Sequence, residues 1–369
     1  MWASKIHTLF ERLREKDFEI AIISSQVNIR YLTGLKFVAL ERPILLILNV
    51  KERKSVMFVP LLELERVKQS LGKNIDEVLY YADHEDPYLK LVSIIKELAP
   101  QKTVGLEGST PFKIVEPILK SSKNIEIKSI DDVLQQLRVI KDQYELNYIR
   151  KASEILDKTI EYAFSIIKNG ISEIDLADDL VRYSKRQGAE DVPFSIVQFG
   201  RNTSNPHGLP TQERLKPEEP VLIDIAAQYN GYFSDITRVG FFGKSIPEEY
   251  TRIHSVVLKA HDEAIARVRP GVRAKEVDRV ARSIIAAEGY GRYFTHRTGH
   301  GLGLEVHEEP YIHSGNNTVL KEGMVFTVEP GIYLPEKYGV RIEDTVIVTA
   351  SGCEVATKSN RAIIQISPQ

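Results

Sequence analysis

Up to about residue 125, the hydrophobic positions of the chain alternate between two periods. HTLFERLREKDF repeats apolar residues at helical spacing, and EIAIISS, PILLILNV and KSVMFV are short, nearly continuous apolar runs. PYLKLVSIIKELA then returns to the helical period ahead of TVGLEG. Strands alternating with amphipathic helices predict an α/β domain built on a parallel or mixed sheet. Its GLEGST stretch has neither the lysine of a phosphate loop nor the glycine spacing of a dinucleotide fingerprint. The domain is therefore expected to support or gate chemistry rather than perform it.

From Ile130 the pattern becomes one long helical region, DDVLQQLRVIKDQYELNYIRKASEILDKTIEYAFSII, with a break between two helices expected near Lys141-Asp142. A faint internal repeat follows. Gly170, a helix and Gly188 are matched by Gly271, a helix and Gly289, with the same 18-residue gap, and each set precedes a strand-rich stretch. A domain made of two related α+β halves would bring residues of both to a central cleft.

VLIDIAAQYNGYFSDITRVGFF, residues 221 to 242, reads as two buried strands interrupted by Asp224 and Asp235. Asn230-Gly231 between them is a strong signal for a two-residue hairpin turn, which makes Asp224 face Thr237 and Ala226 face Asp235 on one side of the sheet. The two carboxylates then become diagonal neighbours, roughly 7–8 Å apart at the backbone. Buried together they require a positive partner, because an isolated buried charge costs more than a packed strand offsets.

Composition narrows the class. In 369 residues, 43% are apolar and 27% charged, and 49 Lys and Arg balance 51 Asp and Glu, so nothing points to nucleic acid or an anionic membrane as partner. The opening MWASKIHTLFERLREKDFEI contains no continuous apolar stretch, as expected of a cytoplasmic protein without a signal peptide or membrane span. The lone Cys353 cannot form an internal disulfide and reads as structural.

Four further stretches carry polar residues where packing does not demand them. HRTGHGLGLEVHEEP holds His296, His300, Glu305 and His307 among three glycines, a run that would let backbone approach a ligand. EGMVFTVEPGIYLP puts Glu329 at the end of an apolar strand, YGVRIEDTVIV sets Glu343 in another with Arg341 on the same face, and RNTSNPHGLP carries His207 in a loop. Two aspartates, two glutamates and an imidazole, without thiolate, suit hard or borderline divalent ions such as Mn²⁺ or Co²⁺. Four carboxylates can neutralise two such ions, and metal pairs roughly 3.5–4 Å apart generate a hydroxide nucleophile for hydrolysis.

The set LIDIAAQYNGYFSDIT, HRTGHGLGLEVHE, VEPGIYLP and GVRIEDT resembles the pita-bread metallopeptidases, the family of prolidase, aminopeptidase P, methionine aminopeptidase and creatinase. NIRYLTGL and RVIKDQYELNYIRKA resemble the N-terminal domain and junction of the Xaa-Pro peptidase branch, so the likeness spans nearly the whole chain. It implies a creatinase-like α/β domain over residues 1–128 and, over residues 129–369, an α+β pita-bread catalytic domain with internal pseudo-twofold symmetry.

By resemblance, Asp224 would hold one metal, Asp235 and Glu343 would bridge, and His300 and Glu329 would hold the second, with Glu329 also accepting the proton of the bridging water. His207 and His307 would contact the substrate carbonyl, and Thr237 and Arg341 would orient the ligands. Phe194 in DVPFSIV could wall a pocket for the proline ring. The family usually forms homodimers.

Prolidases commonly have Arg four residues after the position of His307, and this chain has Tyr311 there. Without that cation the penalty against longer peptides should vanish. The first expectation is thus an Xaa-Pro aminopeptidase acting on short proline-containing peptides, with the dipeptide-specific prolidase as alternative. Methionine aminopeptidase is disfavoured by the N-terminal domain, creatinase chemistry by the full ligand set, and a non-catalytic binding module by the retention of all five ligands.

Overall fold

The alternating runs at the start of the chain become a six-stranded mixed sheet in the computed structural model, which describes residues 2–38, 40–71, 75–98, 103–121 and 125–368. Strands β1 (Ile20–Ile23), β2 (Leu45–Asn49), β3 (Lys54–Pro60), β4 (Glu77–Tyr81), β5 (Thr103–Leu106) and β6 (Glu126–Ser129) are ordered β4-β3-β2-β1-β5-β6. β2 pairs antiparallel with both of its neighbours and the other pairings are parallel. Helices α1 (Trp2–Glu15), α2 (Gln26–Thr33), α3 (Leu64–Leu71), α4 (Pro87–Leu98), α5 (Phe112–Ser121) and α6 (Asp131–Arg138) complete the unit. Ala99, the last residue of the helix expected from PYLKLVSIIKELA, lies outside the described residues. β1 and β2 are buried at every position, which is why they read as continuous apolar runs rather than alternations.

The described residues divide into two units, Met1–Arg138 and Val139–Gln369. The division falls after Arg138 rather than after residue 128, since α6 is tied to the first unit. The Tyr31 hydroxyl donates to Leu137 O at 2.8 Å and Arg12 Nη1 donates to Gln136 Oε1 at 2.8 Å.

In the second unit α7 (Gln143–Ile166) starts where the sequence breaks. The Asp142 side chain accepts from the Tyr144 and Glu145 amides, while Glu145 Oε2 accepts from Asp142 N at 2.7 Å, a reciprocal cap that fixes the helix start. With α8 (Glu173–Arg186) it covers one face of a four-stranded sheet ordered β17-β9-β8-β7, formed by β7 (Ser195–Phe199), β8 (Glu219–Tyr229), β9 (Tyr232–Phe242) and β17 (Ile364–Ile366). Val221, Ile223, Ile225 and Ala227 of β8 pack with Leu156, Ile160, Leu176 and Leu180 of the helices. A one-residue slip would turn all four away from this core, so the same burial that stabilises the strand also fixes where Asp224 points.

The second half repeats the plan. Helices α9 (Glu248–Arg267) and α10 (Ala274–Ala287) share a core with a five-stranded sheet ordered β11-β10-β12-β15-β16. Its strands are β10 (Gly299–Gly301), β11 (Glu308–Ile312), β12 (Val325–Val328), β15 (Asp344–Val348) and β16 (Cys353–Val355), and β13 (Gly331–Leu334) and β14 (Tyr338–Arg341) form a separate hairpin. The internal repeat holds at the level of hydrogen bonds. Gly170 and Gly271 both have positive φ, 76° and 87°, and their amides donate to Leu215 O and Leu320 O, each at 2.9 Å. Leu215 N and Leu320 N return to Ile171 O and Val272 O at 2.9 and 2.8 Å, and α8 and α10 are both 14 residues long.

Two local expectations change. Glu343 is not inside a strand: it lies between β14 and β15, where the chain passes from one sheet to another, and makes an antiparallel bridge with Thr237. The glycines of HRTGHGLG serve strand contact rather than approach to a ligand, since a Cβ on Gly299 would lie 1.8 Å from Thr327 O and one on Gly301 2.3 Å from the Glu309 carbonyl. Among the described residues no helix is long and apolar enough to cross a membrane.

Candidate metal centre and substrate cavity

The hairpin closes in the expected register. Asn230 and Gly231 take φ of 52° and 92°, Tyr229 pairs with Tyr232, Asp224 with Thr237 and Ala226 with Asp235. Asp224 and Asp235 thus share a face of the first half. His300 on β10, Glu329 after β12 and Glu343 before β15 come from the second half, and all five line one cavity of about 540 Å³.

One ligand atom from each of Asp235, His300 and Glu343 lies within 4.8 Å of the other two. His300 Nε2 is 3.4 Å from Glu329 Oε1 and 3.9 Å from Asp235 Oδ2, too far for good hydrogen bonds. Thr237 Oγ1 donates to Glu343 Oε2 at 2.6 Å, and Thr327 Oγ1 donates to Glu329 Oε1 at 3.1 Å. Behind Glu343 the fully buried Arg238 donates to Glu343 O at 2.6 Å and Asp344 Oδ1 at 2.6 Å, fixing the backbone that presents the carboxylate.

Among the described residues one cation is hydrogen-bonded into this cluster. Arg341 donates through Nη2 to Asp224 Oδ2, through Nε to Thr237 Oγ1 at 3.1 Å and through Nη1 to the Tyr333 hydroxyl at 2.8 Å. That guanidinium, with Arg297 acting on Glu329 through space, does not balance four carboxylates. Burial first, then the charges of Asp224 and Glu329, push the Asp235 carboxyl well above its usual range. Glu343 moves the same way through burial, Asp235 and Glu329, and burial raises Glu329 to about 7 against the pull of Arg341.

The donor set fits a divalent cation. Asp224 Oδ1 is buried with no hydrogen-bond partner among the described residues. His300 is kept neutral chiefly by burial and its Nδ1 is 3.2 Å from Gly301 O, so the Nε2 lone pair faces carboxylate oxygens. Lone pairs converging on lone pairs are stable only with a cation between them.

Among the other expected residues, His207 and His307 are exposed at the cavity wall, and the His307 ring meets that of His300 edge-on at 4.1 Å between centroids. Half-buried Phe194 lines the same cavity with Ile196. Tyr311 does not line it. Its ring lies under Arg297, whose guanidinium carbon is 4.1 Å from the ring centre and which does line the cavity.

Sequence reasoning did not assign roles to His296, Tyr333 or Arg297. His296 Nδ1 is 2.7 Å from Arg297 O and its Nε2 2.9 Å from the Tyr333 hydroxyl, which also receives Arg341. Burial lowers the His296 pKa to about 3, so a neutral imidazole borders the cavity. His296 was visible in HRTGHG; nothing local marks Tyr333, whose importance arises only when β13 folds against Arg341.

A carboxylate-rich cluster with one imidazole, where two similarly built halves meet, has the chemistry of a metal-dependent hydrolase, and comparison with known proteins agrees. Residues 147–350 match metallopeptidase family M24 and residues 5–140 match the Creatinase/Prolidase N-terminal domain. The chain belongs to metallopeptidase family M24, with the pita-bread catalytic fold behind a creatinase-type N-terminal domain. It is 36% identical over 361 residues to an Xaa-Pro dipeptidase of Pyrococcus horikoshii, covering 98% of each chain. A solved prolidase from Thermococcus sibiricus superposes with a TM-score of 0.94 at 36% identity, over 99% of both chains. An X-Pro aminopeptidase from Thermotoga maritima gives 0.87 at 30% identity, over 98% of this chain and 99% of that one. The dipeptidase alternative is therefore better supported than the aminopeptidase expectation.

Proposed function

We propose that the chain is a dinuclear-metal Xaa-Pro dipeptidase, hydrolysing the bond between an N-terminal residue and a C-terminal proline. The observation that carries this reading is the buried cluster of Asp224, Asp235, His300, Glu329 and Glu343 in one cavity, in a chain similar over nearly its full length to dipeptidases of that specificity. Those five residues would hold two divalent ions, Mn²⁺ or Co²⁺, since oxygen and imidazole donors without thiolate favour such metals. When bound, the ions supply an activated water and polarise the scissile carbonyl.

The roles of the side chains follow from their chemistry. Glu329, with its raised pKa, suits a group that accepts a proton from water and returns it to the leaving imino nitrogen. His207 and His307 would donate to the carbonyl oxygen as charge develops there. Arg341 and Thr237 would orient Asp224 and Glu343. Phe194 and Ile196 offer an apolar wall against which a proline ring could sit; the tertiary amide has no N–H for a general peptidase to recognise.

The resemblance supports a homodimer, and balanced charge with a single half-buried cysteine supports a cytoplasmic setting. The division of labour proposed is a supporting first unit and a catalytic second unit that carries the residues of the cavity. The test is kcat/KM for Ala-Pro against Ala-Pro-Ala with Mn²⁺ and Co²⁺. The dipeptide should be preferred by about 10²-fold, and equal cleavage of the tripeptide would return the assignment to an aminopeptidase.

A further inference from the structure

Lys141, where the chain breaks between α6 and α7, is a lysine inside the protein. It is 4% exposed, and its Nζ donates to Glu308 Oε1 at 2.8 Å, between residues 167 apart in sequence. Both side chains are shielded from water. A buried ion pair of this kind adds little net stability over packed apolar side chains, whereas removing one partner strands the other charge. Its contribution has to be sought in what it holds in place.

The lysine end is fixed through its backbone. Lys141 N donates to Gly323 O at 2.9 Å, and Asp142 beside it caps α7. Gly323 takes a φ of 83°, and a Cβ there would lie 2.9 Å from Lys141 O, so the turn before β12 lies directly against this backbone. The glutamate end opens β11 opposite Gly301 of β10, and residues 302–307 form the loop between the two strands. The Glu308 carboxylate is folded under that loop: Glu305 N donates to its Oε2 at 3.4 Å, and a Cβ on Gly303 would lie 2.6 Å from its Oε1. Phe233 N of β9 donates to Gly303 O at 2.7 Å. His300 precedes this loop and His307 ends it, with their rings edge-on at 4.1 Å. The exposed His307 ring therefore takes its direction from backbone that the ion pair anchors.

We propose that the Lys141–Glu308 pair holds the loop over residues 302–307 and thereby sets the position from which His307 reaches the substrate carbonyl. This rests on the role given to His307 under the dipeptidase reading above. Neither side chain is among the described residues that line the cavity, so both are positioning residues that act through His307. A donor aimed at a developing oxyanion is sensitive to displacement, which makes a rigid support beneath it worth the burial of two charges.

The experiment reads His307 in two ways in wild type, Lys141→Met and the double variant Lys141→Met/Glu308→Leu. The first is NMR of chelated protein labelled at histidine Cε1, with each signal assigned by substituting its histidine. The His307 and His300 signals should move in both variants, because the ring contact between them changes, while those of His254 and His261 in α9 stay in place. The second is hydrolysis of Ala-Pro by Mn²⁺-loaded protein. Each variant should lose about 10- to 10²-fold in kcat, with KM within a few-fold and metal content unchanged, since a misplaced donor fails as charge develops on the carbonyl. In a His307→Ala background the same Lys141→Met change should cost less than about 2-fold, as expected of residues that act through one another. Should Lys141→Met strand Glu308 and fail to fold, the double variant carries the test, because it leaves neither charge buried alone. Unmoved His307 and His300 signals in a folded variant, or an equal loss with and without His307, overturns the inference and leaves the dipeptidase reading standing. A wild type inactive on Ala-Pro overturns that reading, and the two signals then decide the inference alone.

Discussion

Replacing Glu329 with Gln should stabilise the protein when metal is removed and destabilise it, relative to wild type, when metal is present. The carboxyl of Glu329 rises from 4.5 to about 7 in the folded chain, mainly through burial. An acid whose pKa is higher folded than unfolded stabilises the fold below its ordinary value and loses that contribution as pH rises through the folded value. For Glu329 the window runs from about pH 4.5 to about pH 7, and at about 1.4 kcal/mol per unit the loss is roughly 3 kcal/mol. Glutamine does not titrate, and its amide oxygen can still accept from Thr327 Oγ1. Calorimetry in chelator at pH 5 and pH 8 reads the effect. Wild type and variant should melt close together at pH 5. At pH 8 the variant's second-unit transition should lie higher, by roughly 6–12 °C for a unit of this size. Saturating Mn²⁺ should reverse the order, because bound cations stabilise the full carboxylate set. A variant that melts no higher than wild type at pH 8 in chelator would refute the idea that unbalanced carboxylates strain this site.

Two further outcomes follow from the same geometry. His207→Ala and His307→Ala should each lower kcat/KM by about 10²-fold or more with metal stoichiometry unchanged, as measured by elemental analysis beside steady-state kinetics; loss of metal in either would move that histidine into the ligand set. Arg341→Met should destabilise the metal-free protein by about 3–5 kcal/mol in denaturant melts, since it strands the Asp224 carboxylate without its guanidinium, and a cost under about 1 kcal/mol would show that Arg341 does not hold Asp224 in charge balance.

Much of the site was legible because its spacing is short range. Asn230-Gly231 dictates the turn, the turn dictates that Asp224 and Asp235 share a face, and β8's apolar alternation locks that face in place. The repeat was legible through its glycines, whose positive φ no other residue adopts as cheaply. What escaped was set by contacts distant in sequence. Tyr333 matters because it bridges His296 and Arg341, and Glu343 leaves its strand because the chain changes sheets beside Thr237. Tyr311 shows the same limit, since no local pattern in the sequence places Arg297 over its ring and only the fold brings the two together.

The central claim is that the Asp224, Asp235, His300, Glu329 and Glu343 cluster binds catalytic metal. Its most direct test is Mn²⁺ content by equilibrium dialysis for wild type and Asp235→Asn, with Ala-Pro hydrolysis measured on the same samples. Wild type should hold two ions per chain and be active. Asp235→Asn should stay folded, lose most of its metal and retain almost no activity, because a neutral amide cannot bridge two cations. Full hydrolysis of Ala-Pro by Asp235→Asn, or by chelated wild type, would contradict the account.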